Sequence, residues 1–257
     1  MLKAPTAIPA FRDNYIWAIV EGDRCVVVDP GDAAPVEAWL SEQGLTLSAI
    51  LITHHHPDHV GGVSALCQER SIPVYGPARE SIPEMGHPLN DGDRVRLSGP
   101  DLELDVLEVP GHTLGHIAFY AAGQGWLFCG DTLFAGGCGR LFEGTPEQMH
   151  HSLTRLAALP EETRVFCAHE YTLANLTFAA SVSPQDNNVL ARLEQVRALR
   201  EQDRITLPST IGEERRTNPF LRSAEPQLRH ACETHFGVAP DSCVENFAAL
   251  RRWKDSA

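Results

Sequence analysis

Hydrophobic and polar positions alternate along the first two thirds of the chain in short runs that are rich in β-branched and aromatic residues. Clusters of glycine, proline, asparagine and aspartate separate these runs, which is typical of strands joined by turns. The pattern predicts strands in YIWAIV, RCVVVDPG, LSAILITHH, IPVYGP, RVRL, LELDVLEVPGH, HIAFYAAG, GWLFCGD and RVFCAHE.

Helical periodicity interrupts the strands at two places. AAPVEAWLSEQG is predicted to end at Gly44, and TPEQMHHSLTRLAALP is predicted to begin with Thr145 as its cap and Pro146 at the first helical position. Many strands with few helices predict an α+β fold in which two packed β-sheets have helices outside.

The pattern of hydrophobic and polar residues changes after His169. TLANLTFAASV and NNVLARLEQVRALREQ have a helical period, and no strong strand pattern follows them. A last helix is predicted to start at Asp241 or Ser242. We therefore predict two domains, with a catalytic domain at 1–170 and a smaller, mainly helical domain at 171–257.

Composition narrows the classes of function. Hydrophobic residues make up 43% and charged residues 21% of 257 positions, as in an ordinary globular protein. The formal net charge of -13 disfavours nucleic acid as a partner. We expect no membrane span and no secretory signal. Seven scattered cysteines without a CxxC pair disfavour disulfides and favour a cytoplasmic location.

The segment THHHPDH carries the strongest chemical signal. It follows the strand LSAILIT directly, so its side chains emerge at the end of a sheet, where ligands usually bind. His54 and His56 are two positions apart and can face the same way, whereas His55 is expected to point elsewhere. Asp58 and His59 add further ligands. Imidazole and carboxylate together suit zinc, iron or manganese.

Three later residues share the arrangement of a strand followed at once by a candidate ligand. They are His112 in PGHT, Asp131 in CGDT and His169 in CAHE. Each alone is more typical of a turn or a structural residue than of a site. Beside the THHHPDH cluster they gain weight, because a site for two metal ions needs a bridging carboxylate and further imidazoles. The residues therefore predict a dinuclear centre.

These motifs, in this order, resemble those of the metallo-β-lactamase fold, in which two β-sheets lie between helices. FRDNY, GDTLFAGGCGRLFEG, AHEYTLANLTFA, TNPFLR and the terminal RRWKD further resemble the hydroxyacylglutathione hydrolase (glyoxalase II) family along essentially the whole chain. The resemblance implies two divalent metal ions per chain, with zinc expected and iron or manganese as alternatives. It implies that His54, His56 and His112 hold one ion, that Asp58, His59 and His169 hold the other, and that Asp131 bridges them.

The family also implies a reaction. Hydroxide held by the two metals would attack the thioester of S-D-lactoylglutathione or a related S-2-hydroxyacylglutathione, with Asp58 and Asp131 orienting it, and would release glutathione and D-lactate in the second step of methylglyoxal detoxification. By resemblance, the glutathione portion would be held by Arg140, Phe142, Tyr171, Arg251 and Lys254. The family often has lysine at position 140 and tyrosine at position 142.

Alternatives stay open from the sequence alone. GxSxG is absent, and Cys138 in GGCGR is interpreted as a tight-turn residue instead of a nucleophile. The alternatives among enzymes are other members of the same superfamily, such as a lactonase, a β-lactamase or a persulfide dioxygenase. The dioxygenase has a single iron and uses fewer ligands, whereas Asp58 and His59 are both present here. An inactive metal-binding protein is the alternative outside enzymes. We expect a monomer.

Overall fold

The computed structural model describes residues 2–68 and 70–256, which divide into two compact units. The first unit contains residues 1–108 and 114–130, and the second contains residues 109–113 and 131–257. The domain boundary after residue 170, expected from the change to helical periodicity, stays a prediction.

A mixed six-stranded sheet forms the first half of the first unit, and its strands follow one another in chain order. The first three strands pair antiparallel and the later ones pair parallel. These strands are β1 (Thr6–Ala10), β2 (Asn14–Glu21), β3 (Arg24–Val28), β4 (Thr46–Leu51), β5 (Val74–Pro77) and β6 (His87–Leu89). The helices of this half are α1 (Ala33–Gln43), α2 (Pro57–Val60) and α3 (Val63–Cys67).

Packing of these helices on the sheet explains the near-continuous hydrophobic runs in the sequence. Parallel strands that are buried on both faces lose the simple alternation of polar and apolar residues. Cys25, Val27, Ile50 and Ile52 from the sheet lie in one core with Val36 from α1. The helix α1 ends where the sequence predicted, because Gly44 adopts φ 64° and stops it.

The second half of the first unit is an antiparallel meander. Its strands are β7 (Arg94–Ser98), β8 (Asp101–Glu108), β9 (Ile117–Ala121) and β10 (Trp126–Gly130). The Ile117 N–H donates to Thr53 O at 2.9 Å, so this meander contacts the first sheet just beyond the end of β4.

The second unit contains most of the helices. Its elements are the hairpin strands β11 (Leu133–Phe134) and β12 (Gly137–Cys138), α4 (Pro146–Ala157), β13 (Arg164–Cys167), α5 (Thr172–Val182), α6 (Asn187–Arg200), β14 (Ser209–Thr210), α7 (Ile211–Thr217), α8 (Pro226–Phe236) and α9 (Cys243–Asp255). Thr145 caps α4 as predicted, and Ser242 caps α9. Within the described residues, no helix is long and apolar enough to cross a membrane.

Candidate metal centre

Four of the proposed ligands lie in the first unit, immediately after β4. The backbone leaves the sheet at Ile52, and α2 begins at Pro57, so the connecting loop carries His54 and His56 while the helix carries Asp58 and His59. His54 and His59 are fully buried. A short loop between two fixed elements thus gathers these side chains.

The distances within this group are those of ligands that share an ion. His54 Nε2 lies 3.1 Å from His56 Nδ1, and His59 Nε2 lies 3.4 Å from Asp58 Oδ2. Two ligand atoms at about 2.0–2.1 Å from a tetrahedral ion lie roughly 3.4 Å apart. The imidazole and carboxylate atoms therefore fit divalent metal ions in both spacing and chemistry.

A buried aspartate that the sequence did not single out supports these histidines. Asp29 accepts hydrogen bonds from Thr53 N and Thr53 Oγ1, both at 2.7 Å, and its Oδ2 lies 3.1 Å from His59 Nδ1. Thr53 Oγ1 in turn lies 3.1 Å from His54 Nδ1. Because the outer ring nitrogens face these partners, the Nε2 atoms of His54 and His59 are the ones left to bind a metal.

Asn14 and His116 of the first unit also contact Asp58 and His54, respectively. Asn14 Nδ2 donates to Asp58 Oδ2 at 3.0 Å, which orients the carboxylate. The His116 ring stacks on that of His54 with centroids 4.6 Å apart. Asn14 belongs to FRDNY, which the sequence marked only by resemblance, and His116 begins the predicted strand HIAFYAAG, where it was not singled out.

The remaining three proposed ligands belong to the second unit, and Asp131 lies between the other two. Its Oδ2 is 3.4 Å from His112 Nε2, and its Oδ1 is 3.3 Å from His169 Nε2. His112 Nδ1 lies 2.8 Å from Arg140 O and donates to this carbonyl, which leaves Nε2 as the ligand atom. Each carboxylate oxygen thus lies near one histidine, which suits a ligand between two metal ions.

A cavity of about 510 Å³ in the second unit contains this carboxylate. All five residues that resemblance implied for substrate binding line it together with His112 and Asp131. The other lining residues are Phe134, Cys138, Ala174 and Asn175. Three of the lining side chains are cationic, so this cavity of an acidic protein suits an anionic ligand.

Aromatic rings lie against the two histidines of the second unit. Tyr171 stacks on His169 with centroids 4.7 Å apart and planes within 4°. Phe134 meets both rings edge-on, at 5.7 Å from His169 and 5.4 Å from Tyr171. Phe142 meets His112 edge-on at 5.2 Å while 64% of its surface stays exposed. Phe142 therefore offers a ring where a tyrosine would also offer a hydroxyl.

The cations of the cavity differ in how firmly they are held. Arg251 is buried, with Nη1 donating to Cys138 O at 2.9 Å and Nη2 donating to Asp255 Oδ1 at 2.9 Å. Burial, followed by the charge of Arg251, lowers the pKa of Lys254. Arg140 is mostly exposed, and its Nε lies 3.6 Å from Asp255 Oδ1.

The interpretation of Cys138 as a tight-turn residue needs correction. Cys138 lies in β12 and pairs with Leu133, while the turn of the hairpin contains Gly136 with φ 69°. Burial raises the pKa of the Cys138 thiol, so the thiolate that a nucleophile needs is disfavoured. The sequence missed this because GGCG contains several turn-forming glycines and too few residues for a strand pattern.

Comparison with known proteins gives a family that agrees with this fold and these candidate ligands. Residues 10–169 match the family model of the metallo-beta-lactamase superfamily, the class defined by such sheets with histidine and aspartate at their strand ends. Residues 170–257 match the model of the hydroxyacylglutathione hydrolase C-terminus. The chain belongs to the hydroxyacylglutathione hydrolase family. The family and the fold class expected from the sequence, including the helical C-terminal region, are confirmed.

Relatives share most of their length with this chain. Hydroxyacylglutathione hydrolase of Pseudomonas entomophila is 58% identical, with 97% of each chain covered. That of Alkalilimnicola ehrlichii is 58% identical, with 98% of each covered. Among solved structures, TTHA1623 in a di-iron-bound form is 32% identical with a TM-score of 0.59, covering 85% of this chain and 100% of its own. BLEG-1 B3 metallo-beta-lactamase is 26% identical with a TM-score of 0.62, covering 86% and 99%.

Proposed function

We propose that this enzyme hydrolyses the thioester bond of S-D-lactoylglutathione and related S-2-hydroxyacylglutathiones. Water adds to the acyl carbon, the C–S bond breaks, and the products are glutathione and D-lactate. The observation that carries the proposal is the second-unit cavity, in which Asp131, flanked by His112 and His169, lies with three cationic side chains. The names of the full-length relatives support the same reaction.

We further propose that seven side chains hold two divalent ions. His54, His56 and His112 would bind one, Asp58, His59 and His169 the other, and Asp131 both. Support comes from the ligand-like spacings within each unit and from membership in the superfamily. When bound, such ions lower the pKa of a water from about 15.7 to near 7 and polarise a carbonyl oxygen. Zinc is the proposed metal, and iron or manganese would accept the same donors.

The protein supplies orientation around this centre. Asp29 and Thr53 fix which nitrogens of His59 and His54 point inward, and Arg140 O does the same for His112. Asp131 directs one carboxylate oxygen to each of its histidines. Because these contacts fix the orientation of the side chains, little reorganisation is needed during the reaction.

Binding of the glutathione portion is assigned to the cationic side of the cavity. Its two carboxylates would face Arg140, Arg251 and Lys254, of which Arg251 contributes charge from a position fixed by Cys138 and Asp255. Tyr171 adds a hydroxyl. Phe142 adds only apolar contact, so it cannot replace the hydrogen bond that a tyrosine would donate.

The test is release of thiol from S-D-lactoylglutathione by the purified, metal-replete protein, with a chelator-treated sample beside it. We expect turnover that disappears after chelation and returns after metal is restored, with zinc, iron and manganese compared separately. Absence of thiol release from protein with two metals per chain would refute the proposed reaction. Oxygen uptake with glutathione persulfide, or faster cleavage of lactones, would favour the corresponding alternative. The proposed monomer and cytoplasmic location need separate measurements of mass and of cell fractions.

A further inference from the structure

The hairpin β11–β12 forms one wall of the proposed substrate cavity. Phe134 and Cys138, which line the cavity, lie on its two strands. Each strand has only two residues, and the strands pair only through Leu133 with Cys138 and Phe134 with Gly137. An isolated hairpin of this length is not stable in water. Its position must therefore be set by contacts with other parts of the chain.

Side chains from the later part of the second unit supply those contacts. Asn218 Nδ2 donates to Phe134 O at 3.2 Å and to Gly137 O at 2.8 Å, so a single amide joins the two strands. Asn175 Nδ2 donates to Ala135 O at 3.1 Å. Arg251 Nη1 donates to Cys138 O at 2.9 Å.

A buried carboxylate holds the turn between the strands. Glu214 is fully buried, and its Oε2 accepts from Gly136 N at 2.7 Å and from Asn218 Nδ2 at 2.9 Å. Its Oε1 accepts from Arg192 Nη2 at 2.6 Å and from Ser209 Oγ at 2.5 Å. A carboxylate with this many donors is fully satisfied and has one preferred position.

We propose that Asn218 and Glu214 are positioning residues for the reaction, because they fix the hairpin and thereby the cavity wall that carries Phe134 and Cys138. The proposal rests on the proposed function. Neither residue lines the cavity among the described residues, so both act on substrate through other residues, and both contact the hairpin directly. Asn218 Oδ1 also accepts from Phe220 N at 3.0 Å, and the Phe220 ring lies 4.9 Å from Arg251 Cζ, so the exchange measurement at residues 133–138 is needed to identify the hairpin as the route. Phe134 transmits the position of the hairpin further, since its ring lies edge-on to His169 and Tyr171.

The test replaces Asn218 by alanine and compares Asn246→Ala as a matched control. Asn246 is also buried, and its Nδ2 donates to Ser223 O at 2.7 Å, away from the hairpin. We expect Asn218→Ala to raise KM for S-D-lactoylglutathione about tenfold, the equivalent of roughly one hydrogen bond, while kcat changes less than about twofold. Asn246→Ala should lower Tm without changing KM.

Hydrogen exchange provides a readout that does not depend on activity. Amides of residues 133–138 should exchange faster in Asn218→Ala than in the wild-type protein, and their exchange in Asn246→Ala should be unchanged. If Asn218→Ala does not fold, Gly136→Ala tests the same positioning role. Alanine is strained at φ 69°, and the substitution disturbs the turn whose N–H donates to Glu214. Gly125→Ala is its control, with φ 64° and open space around it.

An unchanged KM together with unchanged exchange at 133–138 in the folded variant would overturn the positioning role. An equal rise of KM in the Asn246 or Gly125 control would overturn it too, because the effect would then reflect general destabilisation. Failure of the wild-type protein to release thiol would refute the proposed function instead, and the exchange measurement would still report on the hairpin.

Discussion

Replacement of Asp29 by asparagine removes one negative charge while preserving the shape of the side chain and its backbone. Asp29 has φ 53°, a conformation that asparagine tolerates better than most residues. Its carboxylate accepts from Thr53 N, Thr53 Oγ1 and His59 Nδ1. An amide in its place has one accepting oxygen and one donating nitrogen, so it cannot accept at both positions.

Either orientation of the new amide has a defined cost. If the new amide nitrogen faces Thr53 N, two hydrogen-bond donors face each other and the buried N–H of Thr53 loses its acceptor. With its nitrogen toward His59, the ring must release its Nδ1 proton and carry a proton on Nε2. In this orientation the Thr53 hydroxyl accepts from the amide nitrogen and donates to His54 Nδ1. His54 must then carry its own proton on Nε2 as well. Both protons then occupy the atoms proposed to bind metal.

Loss of such an outer partner typically costs 10–100-fold in metal affinity. Because two ligands are affected here, we expect about a hundredfold weaker binding, equivalent to roughly 2.7 kcal/mol. Titration of the apoprotein with metal against a chelator of known affinity measures this value. Asp32→Asn is the control, since Asp32 only caps α1 by accepting from Ala34 N, and asparagine caps equally well. Equal metal affinity of Asp29→Asn and wild type would refute the reasoning.

Three further predictions follow from other parts of the structure. Arg192→Met should lower the free energy of unfolding, measured in urea, by about 3–5 kcal/mol, because Glu214 stays buried without its partner. Arg197→Met removes an exposed pair on the same helix and should lower it by under about 1 kcal/mol. Equal losses of stability in the two variants would contradict this prediction. His169→Ala should reduce the metal content from two ions to one per chain and lower kcat more than about a hundredfold; two ions and full turnover would exclude it as a ligand. Burial lowers the pKa of Lys254 below its ordinary 10.5, so Lys254 loses its charge at a lower pH and KM should increase at alkaline pH. Lys254→Arg should remove this increase in KM. If the increase persists in Lys254→Arg, another group causes it.

The sequence singled out the candidate ligands because their signal is local. Each of four segments places a candidate ligand just after a strand, and the strands themselves follow from short apolar runs. His112, Asp131 and His169 come after β8, β10 and β13, and His54 comes after β4. Such an order needs only a few neighbouring residues to be recognised.

Most of the missed elements contain too few residues to show a period, whereas α8 has 11 residues, of which only Leu228 and Cys232 are buried. The strands β1, β6, β11, β12 and β14 and the helices α2, α3, α7 and α8 were not predicted. β1 contains Pro9, which weakens its strand pattern, and β6 has only three residues. These elements are formed by their tertiary contacts, as the hairpin β11–β12 illustrates.

The supporting residues could not be identified from the sequence, since their partners lie far away in the chain. Glu214 is 78 residues from Gly136, and Asp29 is 24 residues from Thr53. RCVVVDPG was predicted as a strand, TNPFLR was marked only by its resemblance to the family, and Glu214 was not singled out. No periodicity distinguishes a buried acid that orients another side chain from an acid in a turn.

The two buried aspartates show why geometry is needed to separate a ligand from a support. Asp29 meets the Nδ1 atom of His59, whose Nε2 already faces Asp58. Asp131 meets the Nε2 atom of His112, whose Nδ1 already donates to a backbone carbonyl. Since an imidazole binds metal through one nitrogen and is oriented through the other, the nitrogen contacted decides the role. These contacts support the proposal that Asp131 binds the metals and that Asp29 orients His59, although both aspartates follow a buried strand.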